Sequence, residues 1–323
     1  MRRSGTLSSS LKVNVVRGPP RPRNVADGIT GMLGVTIEAV ESIHIGAGSE
    51  EFGGIPKPEE LERLVKTGGF EAAAQKLSNR IWTEHKSFSS VGGKPCIPGS
   101  SVKGNVRSRI ELSLVSRNGQ ARSCFIRASP PNMARSLRAW RHRSIWGQVL
   151  SEDRWPPCDL TKGDKVCLVC DIFGTAGLRS LVLFGDFVGD KVDLEKLDVR
   201  PGLRLVVAPK GSRFKGIVTF SNLKPHEIGL LLHGMGLTDG VMGRAVMLGR
   251  LKYVGSAGGR PIGKVRYIVN SLSISNVSEP LFNLSPGTSI EGGELERTVR
   301  EVLRAAREEY GGGLRVVEEV AKR

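Results

Sequence analysis

A closely spaced set of cysteines dictates local architecture in this chain more firmly than any other feature. Cys167-Leu168-Val169-Cys170 puts two thiolates at a spacing that grips one tetrahedral ion, and Cys158 lies nine residues upstream in a loop with Pro and Asp. A closed site needs a fourth ligand, and Cys124 and His142 both qualify. Both fall in a stretch rich in Arg and Trp (Arg138, Trp140, Arg141, His142, Arg143, Trp146, Arg154, Trp155) with little apolar content of its own. A structural Zn2+ would hold such a segment together. Redox use of the pair fits less well, because thioredoxin-like sites place both cysteines in the first turn of a helix that follows a strand. Five cysteines, an odd number unevenly placed, fit a reducing compartment and not a disulfide framework.

Charge narrows the partner. The 323 residues carry 48 Lys+Arg against 32 Asp+Glu, a formal net charge of +16. Each phosphate neutralised by a cation releases condensed counterions, so a polyanion, above all nucleic acid, is the expected partner. No stretch reaches the roughly 18 to 20 apolar residues of a membrane span, and the start of the chain lacks the apolar run of a secretory signal. No basic helix carries a Trp or Phe face suited to a lipid surface. The expectation is a cytoplasmic protein with no membrane partner.

Patterning along the chain implies an α+β fold. Residues 1–31, with Arg17, Pro19, Pro20, Arg21, Pro22 and Arg23, read as a basic arm that buries too little apolar area to offset its ordering entropy. From Met32 to Ile45, Leu33, Val35, Ile37 and Ala39 alternate with Gly34, Thr36 and Glu38, the period of a half-buried strand. An insertion over 50–88 contains two helices between Pro58 and Leu77, broken at Gly68-Gly69. A helix over 101–115 buries Val102, Val106, Ile110 and Leu114, with Ser100 or Ser101 as its N-cap. A metal-binding lid spans 117–170. Within 180–187 and 203–220, Leu181 to Phe184, Leu203 to Val207 and Lys215 to Phe220 read as strands, followed by a helix over 224–235 and a closing strand over 264–269, after a glycine- and cation-rich stretch from Gly249 to Arg266. Residues 271–323 form a C-terminal helical extension that includes a helix from Glu294 to Arg307, outside a core of 32–270.

The start of the 101–115 helix presents free backbone N–H groups after Gly and Ser, and Lys103 and Arg107 lie one turn apart on one face. That arrangement suits a sugar-phosphate backbone, although an ordinary capped helix with exposed cations accounts for the same residues.

Four motifs in order carry a resemblance: Ile43-His44-Ile45-Gly46-Ala47-Gly48, Ile97-Pro98-Gly99-Ser100-Ser101-Val102-Lys103-Gly104, Cys167-Leu168-Val169-Cys170-Asp171-Ile172-Phe173-Gly174, and Gly258-Gly259-Arg260-Pro261-Ile262-Gly263-Lys264-Val265. Together, over about Met32 to Val269, the chain resembles the RAMP superfamily of CRISPR-associated proteins, and within it the repeated backbone subunit of type III effector complexes, especially the III-A form. The resemblance implies a ferredoxin-like or RRM-like core of the β-α-β-β-α-β type. It also implies copies self-associating into a filament along CRISPR RNA (crRNA), with target RNA and other subunits of the complex as further partners. It implies RNA contacts from His44, Gly46 and Gly48, from Ser100, Ser101, Lys103, Gly104 and Arg107, from Arg260, Gly263 and Lys264, and from Arg21 of the arm. Aromatic residues are 5% of the chain, so contact with the RNA backbone is expected in place of base stacking.

In the family a loop Asp between the first strand and first helix supports cleavage of target RNA. Here Gly53-Gly54-Ile55-Pro56 or Trp82-Thr83-Glu84-His85 stands in that region, leaving Glu84 and His85 as substitute catalytic groups. A metal-dependent endoribonuclease using Mg2+ or Mn2+, with His44 or His85 as general base, is the alternative to a binding subunit. A zinc-stabilised DNA-binding protein is a third, disfavoured by the absence of finger spacing and of a recognition helix.

Overall fold

Leu33, Val35, Ile37 and Ala39 are buried on the strand Ile29–Ala39, the centre of a curled sheet in a mixed α+β structure. The computed structural model describes residues 11–53, 56–78, 82–125, 140–200 and 203–319. Arg213–Leu223 and Lys264–Ile274 flank the central strand, both antiparallel to it. Their register sets Phe214, Ile37 and Tyr267 in one row and Val218, Leu33 and Leu272 in another, all buried, so cross-strand apolar pairs hold the sheet. Val182–Phe184 and Phe187–Gly189 pair with the far side of Arg213–Leu223, and Lys94–Ile97 extends the sheet beyond them. Taken in chain order, the four main strands lie fourth, first, third, second across the sheet.

Six helices complete the described residues: α1 (Pro58–Ser78), α2 (Gly99–Ser113), α3 (Trp140–Leu150), α4 (Leu168–Phe173), α5 (Pro225–Gly234) and α6 (Gly292–Tyr310). The stripe Val102, Val106, Ile110 and Leu114 is buried as its spacing predicts. Helices α2, α5 and α6 share one apolar core with the sheet, and two glycines set their distance. A Cβ on Gly234 would fall 2.6 Å from Ile110, and one on Gly229 would fall 1.9 Å from the Val302 carbonyl oxygen, so any larger residue would push the helices apart.

Several boundaries differ from the sequence reading. The first strand ends at Ala39 because the N–H groups of Val40 and Glu41 both turn to the Lys264 carbonyl, after which Ile43 bridges to Ala208. The stretch 203–220 holds the two strands expected in it, and the second begins earlier, at Arg213, after a turn where Gly211 has φ 90. Its first part, Leu203–Val207, joins a second sheet in the order Glu195–Arg200, Leu203–Val207, Trp82–Phe88, Gly46–Gly53. Helix α1 therefore sits between two paired strands, and Gly69 (φ 74) kinks it. Helix α6 is wider than expected and buries Leu295, Val299, Val302, Leu303 and Ala306 against the core. No helix among the described residues is long and apolar enough to cross a membrane.

Candidate nucleic-acid interface and metal centre

Helix α2 begins beside the glycine-containing segment that follows the central strand, both lining one cleft. Neither Ser100 nor Ser101 caps it, contrary to expectation: the helix starts at Gly99, whose N–H donates to Asp186 Oδ1 at 2.8 Å. That carboxylate, brought from the Phe184–Phe187 turn, satisfies the orphan donor, and both serines stay exposed. Only glycine fits there, since a Cβ on Gly99 would lie 2.1 Å from the Phe184 carbonyl oxygen.

A cleft of about 430 Å3 opens beside these serines. Its walls are His44, Ile45 and Gly46 from the glycine loop, Ser100, Ser101, Gly104, Asn105 and Ser108 from α2, and Leu248, Gly249, Arg250 and Lys252 from the loop after Val246–Met247. The loops are fastened to each other: the Arg250 N–H donates to the His44 carbonyl at 2.9 Å, and a Cβ on Gly249 would stand 2.8 Å from that oxygen. His44 is buried, and its Nδ1 donates to the Val206 carbonyl at 2.6 Å. Burial holds its pKa below the usual histidine value against that hydrogen bond, and the charges of Arg250 and Lys86 act in the same direction as burial. The imidazole is thus neutral, with Nε2 as acceptor. Arg250 is exposed and Lys252 half-buried. Glycine loop, serine-lined helix start and basic loop together offer hydroxyls, backbone and cations to a sugar-phosphate chain.

The cleft unites His44, Gly46, Ser100, Ser101 and Gly104, five of the residues expected at the interface. Gly48 (φ 83) lies exposed on the strand Gly46–Gly53 that leads out of the cleft. The others are engaged elsewhere. Arg21 pairs with Asp171 and Glu227, each at 2.6 Å. Lys103 lies half-buried outside the cleft lining, its pKa lowered by burial and by Arg107. Arg107 turns inward to Glu111 at 2.8 Å. Arg260 pairs with Glu195 at 3.3 Å on the second sheet, and Lys264 with Glu41 at 3.0 Å. Gly263 (φ 100) contacts the basic loop from behind, where a Cβ would fall 2.5 Å from Lys252 Cα. Glu84 and His85 lie on the strand Trp82–Phe88; their side chains fall outside the described residues. Asn105, Ser108, Arg250 and Lys252 were missed by name, although the glycine- and cation-rich composition after Gly249 signalled the basic loop.

Cys124, Cys158, Cys167 and Cys170 form a buried group whose sulfurs all lie within 4.8 Å of one another. The Cys124 sulfur is 3.4 Å from that of Cys170 and 3.7 Å from that of Cys167, too long for disulfides. Tetrahedral ligation at a metal–sulfur distance of about 2.3 Å needs sulfurs about 3.8 Å apart, so the donor set fits a thiophilic ion. Of the two candidates for the fourth ligand, geometry brings in Cys124. His142 instead packs on Tyr253, ring centroids 4.5 Å apart. Arg154, fully buried, delivers Cys124: it donates to Ser123 Oγ at 2.7 Å and to the Leu114 carbonyl at 2.6 Å while pairing with Glu152. Cys167 is the N-cap of helix α4, which carries Cys170.

Donors surround the sulfurs. Arg107 Nη2 reaches Cys170 at 3.1 Å, Arg17 Nε reaches Cys158 at 3.4 Å, and the Cys167 N–H reaches Cys158 at 3.2 Å. Without an ion, hydrogen bonds from the Cys124 thiol push Cys158 and Cys167 down, while hydrogen bonding to Cys158 pushes Cys124 up and hydrogen bonding to Cys124 pushes Cys170 up.

A four-stranded antiparallel core with two crossover helices, a cysteine-held module and a glycine- and serine-lined cleft define the class. The model of the RAMP superfamily matches residues 36–310, and the chain belongs to that superfamily of CRISPR-associated proteins. The match runs through α6, farther than the motifs alone indicated. Csc2 from Thermofilum pendens, a solved structure, is 14% identical, with 92% of this chain and 81% of that one covered at a TM-score of 0.36. No curated protein gives a sequence match.

Proposed function

We propose that this chain binds single-stranded RNA as a crRNA-holding backbone subunit of a type III CRISPR interference complex, several copies stacking along the guide. The cleft carries the reading. It joins a glycine loop, exposed serines at a helix start and Arg250 on one surface, a set suited to backbone contact that is blind to base sequence. The net charge of +16 supplies the long-range attraction. The core is read as ferredoxin-like, supported by the strand order fourth, first, third, second with helices α2 and α5 as the crossovers.

The cysteine group is read as a structural Zn2+ site held by Cys124, Cys158, Cys167 and Cys170. With four sulfurs it leaves no position for water, and the ion would fasten the module to α2. Its role is structural, and the RNA chemistry belongs to the cleft.

Equilibrium binding of the purified chain to labelled single-stranded RNA, single-stranded DNA and duplex tests the reading. Tight, salt-sensitive binding to single-stranded RNA of any sequence is expected; preference for duplex DNA would overturn it.

A further inference from the structure

The basic loop of the cleft is held from beneath by the end of the chain. After α6, Leu314 bridges to Leu114 and the Arg315 N–H donates to the Ser113 carbonyl, so the tail runs back along α2. It delivers Glu319, which is 3% exposed. One carboxylate oxygen accepts from Arg109 Nε at 2.5 Å, and the other accepts the Met247 N–H at 2.6 Å. Met247 immediately precedes the cleft residues Leu248, Gly249 and Arg250. Its carbonyl is also taken, by Asn105 Nδ2 at 2.7 Å and Arg109 Nη2 at 3.3 Å. Both backbone groups of Met247 are therefore clamped by buried side chains, and Asn105 is itself part of the cleft wall.

The geometry points to Glu319 as a positioning residue for nucleic-acid binding: it is the internal counter-ion of Arg109 that keeps the Leu248–Lys252 loop in place. This rests on the RNA-binding reading of the cleft. The charge count around Lys252 explains why a carboxylate is needed. Arg109 approaches from α2, Arg250 and Tyr253 belong to its own loop, His142 comes from α3, and Glu319 is the anion among these groups. The ammonium lies 5.0 Å from the Tyr253 ring centroid. Burial brings the Lys252 pKa down to about 8, with Arg109 lowering it further and Glu319 raising it. His142, at about 4, is neutral and adds no charge. Neutralising Glu319 removes the carboxylate that offsets Arg109 beside half-buried Lys252, and Lys252 is the one that can shed a proton. A phosphate in the cleft would favour the protonated amine, so affinity is greatest below that pKa and falls as pH rises through it.

Two measurements on the full zinc-loaded chain test this. Affinity for a labelled oligouridylate across pH 6.5 to 9 should fall with a midpoint near 8 in the parent chain. In Glu319→Gln it should be weaker by about tenfold, the worth of one charge-assisted contact, with the midpoint moved about one unit lower. Glu319→Asp should shift it in the same direction by less, and serves if the Gln variant does not fold. Acylation of Lys252 in the RNA-free chain, read by mass spectrometry, should rise at neutral pH in either variant as more of the amine is neutral. Unchanged acylation and an unchanged midpoint would overturn the role of Glu319. Failure of the parent chain to bind RNA would overturn the RNA reading alone, with the acylation result still deciding for Glu319.

Discussion

Arg107 Nη2 lies 3.1 Å from the sulfur of Cys170. The same guanidinium donates to Glu111 at 2.8 Å and to the Gly174 carbonyl at 2.7 Å, so one residue ties α2 to both ends of the cysteine helix. Helix α2 thus serves two places: its first turn faces the cleft, and its next turn braces the cysteine group. Because Arg107 and Glu111 form a buried ion pair, Arg107→Ala, which removes one half of it, should lower stability by about 3 kcal/mol. Zinc should also leave faster under chelator challenge. Urea unfolding and a colorimetric zinc assay check both, and an unchanged release rate would contradict the bracing role.

Metal content is expected at one zinc per chain. Cys124→Ser should lose it, while His142→Ala should keep it, since that imidazole stacks on Tyr253 away from the sulfurs. Elemental analysis of protein purified without chelator gives the answer, and retention by Cys124→Ser would remove the fourth ligand from the account.

Much of the fold was legible because its signals are local. The alternation at Leu33, Val35, Ile37 and Ala39 and the stripe at Val102, Val106, Ile110 and Leu114 depend on one strand and one helix each. The cysteine spacing named three of four sulfurs and left the fourth to two candidates. What could not be read depends on partners distant in the chain. The cap of α2 comes from Asp186, 87 residues away from Gly99. Nor could the sequence show that Arg21 pairs with Asp171 and Glu227, or that Arg107 reaches Glu111 and Cys170. A cation free for RNA and one buried in a network look alike in sequence, and only the fold separates them.

Helix packing makes a prediction about stability. Gly229→Ala would place a methyl group 1.9 Å from the Val302 carbonyl oxygen, forcing α5 and α6 apart at a cost of about 1 to 3 kcal/mol. Thermal unfolding should show a Tm lower by several degrees. An unchanged Tm would mean the helices do not meet there.

Acid should destabilise the chain partly through His233. Burial, with Arg244 and Arg109 adding to it, lowers its pKa from 6.5 to about 4. Between those values the unfolded chain takes up a proton that the folded chain refuses, so stability is full above about pH 6.5 and falls as pH drops toward 4. Denaturant midpoints at pH 7 and pH 5 should differ less in His233→Gln than in the parent; an equal difference would exclude this group as a contributor.

The central claim is that the cleft binds RNA through its backbone, and a salt titration of affinity tests it most directly. Arg250, exposed on the cleft wall, is the residue to change. For the parent chain, log K against log salt should fall steeply and alike for oligomers of unrelated sequence. Arg250→Ala should weaken all of them equally and flatten the slope by about 0.7, one phosphate contact on a single strand. A slope and affinity unchanged by Arg250→Ala, or losses confined to one base sequence, would contradict the account.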